Sequence, residues 1–495
     1  MDIVSVHSSR KGAIMATSTS GYLYETVAER IRLAVENGAL RAGDRAPSLR
    51  TLALDLGVSV ATGVQAYRVL EDEGYLEARP QSGHYIRFRP APAAVPVPEP
   101  LAPATEVEVD ALVARVFGAV RRPDLLGLGA ACAPGSLLPH HALHRHLVAA
   151  SRHYGPAALA YEMPPGHEPL RRQIVRRSPG WGGRLSARDI AITCGAMEAI
   201  HLSLLAVAGP GDVIAVESPT YFGILQAIEK LGMRALEIPV HPDKGISLPA
   251  LESALKAGKV KAVVASPNFQ NPTGAAMDDA DKERLVEVLA RAGVPLIEDD
   301  VYGELAFDGR RPRAAKSFDR LGEVILCSSF SKTLAPGYRM GWVAGGNYQE
   351  RIARLQGMNT VAAPTLSQMA LAGYLESTGY ERHLRTLRQT FGSQARRYAQ
   401  EIQAAFPPGT RVSRPRGGHV LWLQLPGRRS ALQLFDQALK KKISIAPGPI
   451  FSATGRYRDC VRLNCALPWS DAVADGLRTL GKLAAPLSMD KSSIP

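Results

Sequence analysis

From about residue 113 the chain alternates short apolar runs with longer segments of helical period. The runs are "DVIAVES", "VKAVVASP", "VPLIEDD" and "EVILCSSF". Apolar strands separated by helices predict an α/β fold with a mostly parallel sheet covered on both faces. Ahead of that region the pattern changes. "YETVAERIRLAVENG" carries apolar residues at Val27, Ile31, Leu33 and Val35, with Gly38 as its stop. "PSLRTLALDLG" opens at Pro47-Ser48 and closes at Gly57. "VSVATGVQAYRVLEDEG" starts from Ser59 as N-cap and ends at Gly74. "YLEARPQSGHYI" then reads as two short strands around a polar turn containing Gly83. Helices joined by a short turn, then a hairpin, predict a helix-turn-helix with a wing. Its recognition helix suits the major groove and its wing a phosphate backbone. A small helical docking domain fits the same spacing.

Between the two regions, "RPAPAAVPVPEPLAPAT" (residues 89–105) repeats proline every two to four positions. Such a stretch forms no helix and buries no core, so it reads as a semi-extended linker. The expected layout is a reader over 20–88, a linker over 89–112, the α/β domain over 113–485 and a frayed tail over 486–495. A length of 495 residues suits that number of domains.

Composition narrows the class. Hydrophobic residues make up 46% and charged residues 21%, as in soluble globular proteins. No apolar stretch approaches the ~20 residues of a membrane helix, and the N-terminus lacks a signal-peptide core. Five scattered cysteines without a CxxC pair fit a reducing, cytoplasmic setting. "HHALHRH" has no carboxylate or thiolate set beside it, so it reads as a solvated helix face and no metal site is expected. The net charge of +13 is compatible with nucleic acid, yet residues 21–90 hold nine Arg against nine Asp and Glu. Bulk charge therefore does not place DNA binding; the pattern has to.

Each apolar run leads into a polar motif, and in open α/β sheets ligands sit beyond the carboxyl ends of the strands. "DDVYGE" brings Asp299 and Tyr302, "SPNFQNPTG" brings Asn271, and "ESPTYFG" brings Tyr221. "TCGAMEAI" is a Gly-Ala turn opening a helix, whose free N–H groups suit a phosphate. "SSFSK" supplies Ser329, Ser331 and Lys332, and Arg339 follows. A phosphate cradle, an amine, a carboxylate, an amide and an aromatic face are together what pyridoxal phosphate requires. The amine binds it covalently and the acid keeps its ring nitrogen protonated. A G-x-x-x-x-G-K-[ST] loop is absent, so a nucleoside triphosphatase is excluded.

Two resemblances follow from these residues. The run from "PSLRTLALDLG" through "QSGHYI" closely resembles the GntR-type winged helix. That likeness implies that Arg50 holds a phosphate and that Ser59 and Thr62 face DNA, with Tyr67 supporting the recognition helix. Arg79, Gln81, Ser82 and Gly83 of the wing then approach the minor groove or backbone. Val60 stands where a base-reading arginine is common, and Gly63 where a branched apolar residue is usual.

The larger part, over 113–485, resembles the fold-type I aminotransferases, with its motifs in the same order. The likeness implies that Lys332 carries the cofactor, Asp299 pairs with its ring nitrogen, and Asn271 and Tyr302 bind its ring oxygen. Tyr221 then stacks on the ring, and Gly195, Ala196, Met197, Ser329, Ser331 and Arg339 hold the phosphate side. "VRLNCA" places Arg462 as the clamp for a substrate carboxylate. "YEMPPG" places Tyr161 against the phosphate of a neighbouring subunit, which implies a homodimer. The two parts in this order resemble the MocR-type transcriptional regulators. Expected partners are thus an operator DNA, an amine or amino-acid effector and a second, head-to-tail copy. A working aminotransferase with an appended docking domain is the alternative.

Overall fold

A computed structural model describes residues 23–36, 39–41, 43–72, 75–79, 82–87 and 102–485. The chain divides into two compact units, residues 1–90 and 91–495.

The first unit contains α1 (Leu23–Glu36), α2 (Leu49–Leu56), α3 (Val60–Asp72) and an antiparallel hairpin of β1 (Leu76–Arg79) and β2 (Gly83–Ile86). Local chemistry sets the turn between α2 and α3. Ser48 Oγ accepts the Thr51 N–H at 3.1 Å and starts α2. Gly57, at φ 63°, ends it in the left-handed region. Ser59 Oγ accepts the Thr62 N–H at 3.1 Å and starts α3. Val27, Ile31, Leu52, Tyr67, Leu70 and Ile86 close a common core. Val35 is only partly buried. The Leu33 side chain, Gly38 and Gly74 lie outside the described residues.

The second unit is built on an eight-stranded sheet. A short strand outside that sheet, β3 (Leu126–Gly127), comes first in the chain. It is followed by β4 (Ile190–Thr193), β5 (Val213–Ser218), β6 (Arg234–His241) and β7 (Gly245–Ile246). Then come β8 (Val260–Ala265), β9 (Leu296–Asp299), β10 (Val324–Ser329) and β11 (Gly341–Ala344). The main sheet runs β4-β11-β10-β9-β8-β5-β6-β7. Strands β10, β9, β8, β5 and β6 are mutually parallel, and β11 runs against both its neighbours. The four apolar runs expected from the sequence are its adjacent central strands β5, β8, β9 and β10. Their carboxyl ends therefore share one edge.

A second sheet follows, formed by β12 (Arg411–Val412), β13 (Val420–Gln424), β15 (Ala446–Pro447) and β16 (Cys460–Asn464) in the order β12-β13-β16-β15. Between them β14 (Ile443–Ser444) pairs in parallel with β3.

The second unit's order begins earlier along the chain than residue 113. Thr105 and Ala235 exchange backbone hydrogen bonds of 2.9 Å, and α4 spans Asp110–Val120. Proline stops recurring after Pro103, and Val107 and Val109 are both buried. Residues 102–112 thus belong to the packed unit rather than to a linker. Residues 88–101 and 486–495 lie outside the described residues, the expected tail among them.

Candidate functional site

On the first unit, Arg50 is exposed on α2, and Val60 opens α3 at 48% exposure. Ser59 and Thr62 are joined at the start of α3, with 2.8 Å between their hydroxyls. Tyr67 lies beneath them, donating its hydroxyl to Pro47 O at 2.6 Å. That bond ties α3 to the entry of α2, and burial pushes the phenol up to about 12. Gly63 is buried, and a Cβ there would lie in ordinary contact with Leu49 at 3.5 Å. In the wing, Arg79 pairs with Glu77 at 2.8 Å and lies over the Tyr85 ring at 4.4 Å. Ser82 Oγ sits 2.6 Å from Tyr85 Oη, and Gly83 has φ 99°. Gln81 lies outside the described residues. The sequence pattern gave no hint of Arg45, whose guanidinium comes within 3.4 Å of a Cβ position on Gly83. An antiparallel backbone bridge between Arg45 and Tyr85 brings those two positions together.

On the second unit, the shared edge of β5, β8, β9 and β10 gathers the expected cluster. Lys332 follows β10 by three residues, with its Nζ 5.6 Å from the Tyr302 ring centre. Asp299 ends β9 and is buried. Burial, then the neighbouring Asp300, push its carboxyl up to about 7, against a lowering influence from Lys332. Tyr302 is buried, and burial raises its phenol far above the ordinary range. Burial likewise raises Tyr221, although the Lys332 and Arg462 cations oppose the shift.

Asn271 Oδ1 accepts a hydrogen bond of 3.1 Å from Arg462 Nη1. Arg462 sits on β16 at 2% exposure, where burial lowers its pKa. Its guanidinium lies 5.1 Å from the Phe451 ring centre, and its Nη2 donates to Gly129 O.

At the other end of the cluster, Gly195 precedes the helix Ala196–Val207 with φ 80°. Arg339, itself at φ 53°, donates from Nη2 to Cys194 O at 3.0 Å. Its guanidinium therefore lies over the Gly195-Ala196-Met197 turn. Ser329 ends β10, and its Oγ accepts the Ser331 N–H at 3.4 Å. The helix start, with unsatisfied N–H groups and an arginine over it, suits a phosphate. Tyr161 stands 77% exposed between Leu159 at 90% and Met163 at 53%. Among the described residues no group of three His, Cys, Asp or Glu side chains is placed to hold a metal.

Polar atoms without partners mark what the cluster is built to hold. Asp299 Oδ1, Tyr302 Oη and Arg462 Nε are all buried and unpaired. Each such atom costs about 1–3 kcal/mol when left unsatisfied. An acid and a phenol beside an amine, with an anion cradle beyond, match the ring nitrogen, ring oxygen, aldehyde and phosphate of pyridoxal phosphate. The residues present fit that group.

Several contributors carry no clear sequence signal. His419 sits with its ring 5.3 Å from that of Tyr302, and its Nδ1 is 3.2 Å from Asn464 Oδ1. Burial and the Lys332 cation push it down to about 3, so it is neutral. Glu217, fully buried at the end of β5, accepts the Ser266 N–H at 3.0 Å and is pushed up to about 8 by burial. Residues 128–132 supply backbone carbonyls to Lys332 and Arg462. Their one mark in the sequence is a run of small residues, "GLGAACAPG".

Comparison with known proteins agrees with this geometry. Residues 23–86 match the gntR family of bacterial regulatory proteins, and residues 140–475 match aminotransferase class I and II. The uncharacterized HTH-type transcriptional regulator YdcR of Escherichia coli is 39% identical over 464 residues, spanning 93% of this chain and 98% of its own. A kynurenine aminotransferase of Pyrococcus horikoshii, solved with PMP, superposes with a TM-score of 0.71 at 28% identity. The match covers 75% of this chain and 94% of that one. The α-aminoadipate aminotransferase LysN of Thermus thermophilus, complexed with N-(5'-phosphopyridoxyl)-L-leucine, gives a TM-score of 0.69 at 27% identity. Here the match covers 75% of this chain and 96% of that one. YdcR spans both units, whereas the aminotransferases are long enough for one. The chain belongs to the MocR-type transcriptional regulators, in which a gntR-family DNA-binding unit is fused to a class I and II aminotransferase-like sensor domain.

Proposed function

We propose that the chain binds pyridoxal phosphate at Lys332 and couples occupancy of that site by an amine or amino acid to the DNA affinity of its winged helices. The observation that carries this reading is the set of unpaired buried atoms, Asp299 Oδ1, Tyr302 Oη and Arg462 Nε, around the Lys332 amine. When bound, the cofactor supplies an electrophilic aldehyde and an electron-withdrawing ring.

The chain's own residues do the rest. Asp299 Oδ1 takes the proton-bearing ring nitrogen as partner, and that cation draws its carboxyl back toward the ionised form. Tyr302 Oη and Asn271 meet the ring oxygen, and Tyr221 covers one ring face. Gly195, Ala196, Met197, Ser329, Ser331 and Arg339 hold the phosphate, joined by Tyr161 from a second copy in a head-to-tail, cytoplasmic homodimer. Arg462 takes the effector carboxylate in a bidentate pair. On the reader, Arg50, Ser59, Thr62 and the wing residues Arg79, Gln81, Ser82 and Gly83 contact DNA. Val60 replaces a charged base contact with an apolar one suited to a thymine methyl. A coupling of ~1–3 kcal/mol changes DNA affinity roughly 5- to 150-fold.

Binding of the full chain to labelled DNA from upstream of its own gene, against scrambled DNA at one salt concentration, tests this. Specific binding that shifts on adding pyridoxal phosphate is the expected result. Equal binding to both DNAs, with Arg50→Ala no weaker, overturns it. A second reading, catalytic amino-group transfer, is favoured by one observation: Arg462 and the whole cofactor set are retained together. Release of a keto acid from an amino acid by the loaded protein is its assay.

A further inference from the structure

Strands β5 and β8 are neighbours in the main sheet, yet they part at their carboxyl ends. Their pairing stops at Val216 with Val264, whereas β5 stays beside β6 through Glu217 with Ile238 and Ser218 with Pro239. The chain leaves β5 for β6 on one side and returns as β8 on the other. Ligands of open α/β sheets enter at such a reversal. Two side chains take over where the backbone ladder ends. Glu217 Oε2 accepts the N–H of Ser266, just past β8, at 3.0 Å. Gln270 Nε2 donates to the carbonyl of Pro219, just past β5, at 2.5 Å. Both side chains belong to residues at 0% exposure. The Gln270 amide is fixed in direction. Its Oε1 accepts the Thr273 N–H at 3.0 Å and the Thr273 hydroxyl at 2.6 Å, which turns the NH2 group toward Pro219.

We propose that Glu217 and Gln270 are positioning residues, a latch between the β5 and β8 loops that sets the gap receiving the cofactor ring. The inference rests on the pyridoxal phosphate reading above. Gln270 immediately precedes Asn271, the partner of the ring oxygen. Pro219 lies two residues before Tyr221, which covers the ring face. One hydrogen bond thus ties the two ring contacts together at their bases. The latch acts through Tyr221 and Asn271 rather than on the ligand.

Core filling does not account for Glu217. An apolar side chain of its size would occupy the space and leave the N–H of Ser266, a buried residue, without its acceptor. Ser218, the next residue, donates instead to Glu237 Oε1 on β6 at 3.1 Å. The two flanks of the β5 end are therefore held by different side chains. Glu217 Oε1 is buried and unpaired. Burial pushes the carboxyl up to about 8, against the Ser266 N–H and the Gln270 side chain, with Asp299 adding to the rise. At neutral pH Glu217 is thus held mainly uncharged, and no second anion presses on Asp299 at the ring-nitrogen end. Glutamine is the matching mimic, with the same length, an acceptor for Ser266 and no charge.

Full-length Glu217→Leu, Glu217→Gln and Gln270→Met test the latch. Pyridoxal phosphate is titrated into each by absorbance, the induced circular dichroism of the bound cofactor reports how its ring is held, and inorganic phosphate serves as competitor. Glu217→Leu and Gln270→Met are expected to bind about tenfold more weakly, the loss of roughly one buried hydrogen bond, with reduced dichroism. Competition by inorganic phosphate, which reads the Gly195 side, is expected to stay as in the wild type. Glu217→Gln is expected to restore affinity and dichroism. Wild-type affinity and dichroism in either Glu217→Leu or Gln270→Met overturns the latch and leaves the binding reading standing. A Glu217→Gln variant as weak as Glu217→Leu, or equal loss of phosphate competition, also overturns it. If Glu217→Leu does not fold, Glu217→Asp, one methylene short of Ser266, replaces it under the same criteria. If the wild type binds no cofactor, the binding reading fails, and hydrogen exchange of peptides covering 264–272 decides the latch. Exchange there is expected to be roughly fivefold faster in the weakened variants than in the wild type, and equal rates overturn the latch.

Discussion

Arg462 and Asn271 lie 191 positions apart, yet Arg462 Nη1 donates to Asn271 Oδ1 across 3.1 Å. The bond joins the second sheet, through β16, to the loop beyond β8 of the main sheet. It fixes one arm of the guanidinium, turns the other toward Gly129 and leaves Nε unpaired. A buried cation in this state is prepared for an anion.

Arg462→Lys keeps the charge and removes the planar fork. We expect the variant to bind pyridoxal phosphate as the wild type does, because Lys332 and Asp299 are untouched. Its response to an amino acid should weaken by tenfold or more, the loss of about one charge-assisted hydrogen bond. Titrating cofactor absorbance and DNA affinity separately distinguishes the two effects. A retained amino-acid response would falsify the assignment of Arg462 as carboxylate clamp.

Asp299 makes the cofactor-free protein pH-sensitive. Its carboxyl moves from 3.8 to about 7 on folding. Below pH 3.8 it is protonated in both states and contributes no cost. As pH rises toward 7 the unfolded chain ionises first, and folding stability falls. Each pH unit between those two values is worth about 1.4 kcal/mol, so the loss reaches a ceiling of about 4 kcal/mol. Asp299→Asn removes that cost. Its urea midpoint should exceed the wild type's at pH 8, and the gap should shrink at pH 5. Its affinity for pyridoxal phosphate should fall in the same samples.

How far these features could be read from sequence depended on their range along the chain. The capping residues Ser48 and Ser59 act on N–H groups three positions away, so "PSLR" and "SVAT" announce them directly. The buried strands β5, β8, β9 and β10 appear as apolar runs, each leading into a motif that carries a candidate site residue. Residues 128–132, His419 and Glu217 carry no such signal. Asn464 meets Cys132 over 332 positions, and a single buried histidine looks the same as any core histidine. The start of the second unit was obscured for a different reason. Prolines up to Pro103 conceal that Thr105 pairs with β6 and that Val107 and Val109 are buried.

On the reader unit, the proposed phosphate contact of Arg50 and the support given by Tyr67 can be tested apart. Arg50 is exposed on α2, so Arg50→Ala should weaken binding to specific and scrambled DNA alike and reduce the slope of log affinity against log salt by about 1. Tyr67→Phe removes only the donor to Pro47 O. It should lower the stability of the DNA-binding unit by about 1 kcal/mol while leaving the salt slope unchanged. A salt series on each variant, with thermal unfolding alongside, separates the two roles.

Gly195 offers the sharpest test of the phosphate side. Its φ of 80° disfavours any L side chain, and a Cβ would stand 2.6 Å from Arg339 Nη2. From the opposite side, a Cβ on Gly341 would come within 2.4 Å of the Gly195 carbonyl carbon, so the turn has no room to retreat. Gly195→Ala must therefore strain the backbone by about 1–3 kcal/mol or push Arg339 off Cys194 O. Displacement predicts weaker binding of pyridoxal phosphate, with pyridoxal, which lacks the phosphate, bound as in the wild type. Strain alone predicts lower thermal stability and equal loss for both ligands. Absorbance titrations with the two compounds, read against an unfolding curve, decide between them. Equal, wild-type affinity for both would remove the Gly195 turn from the phosphate site.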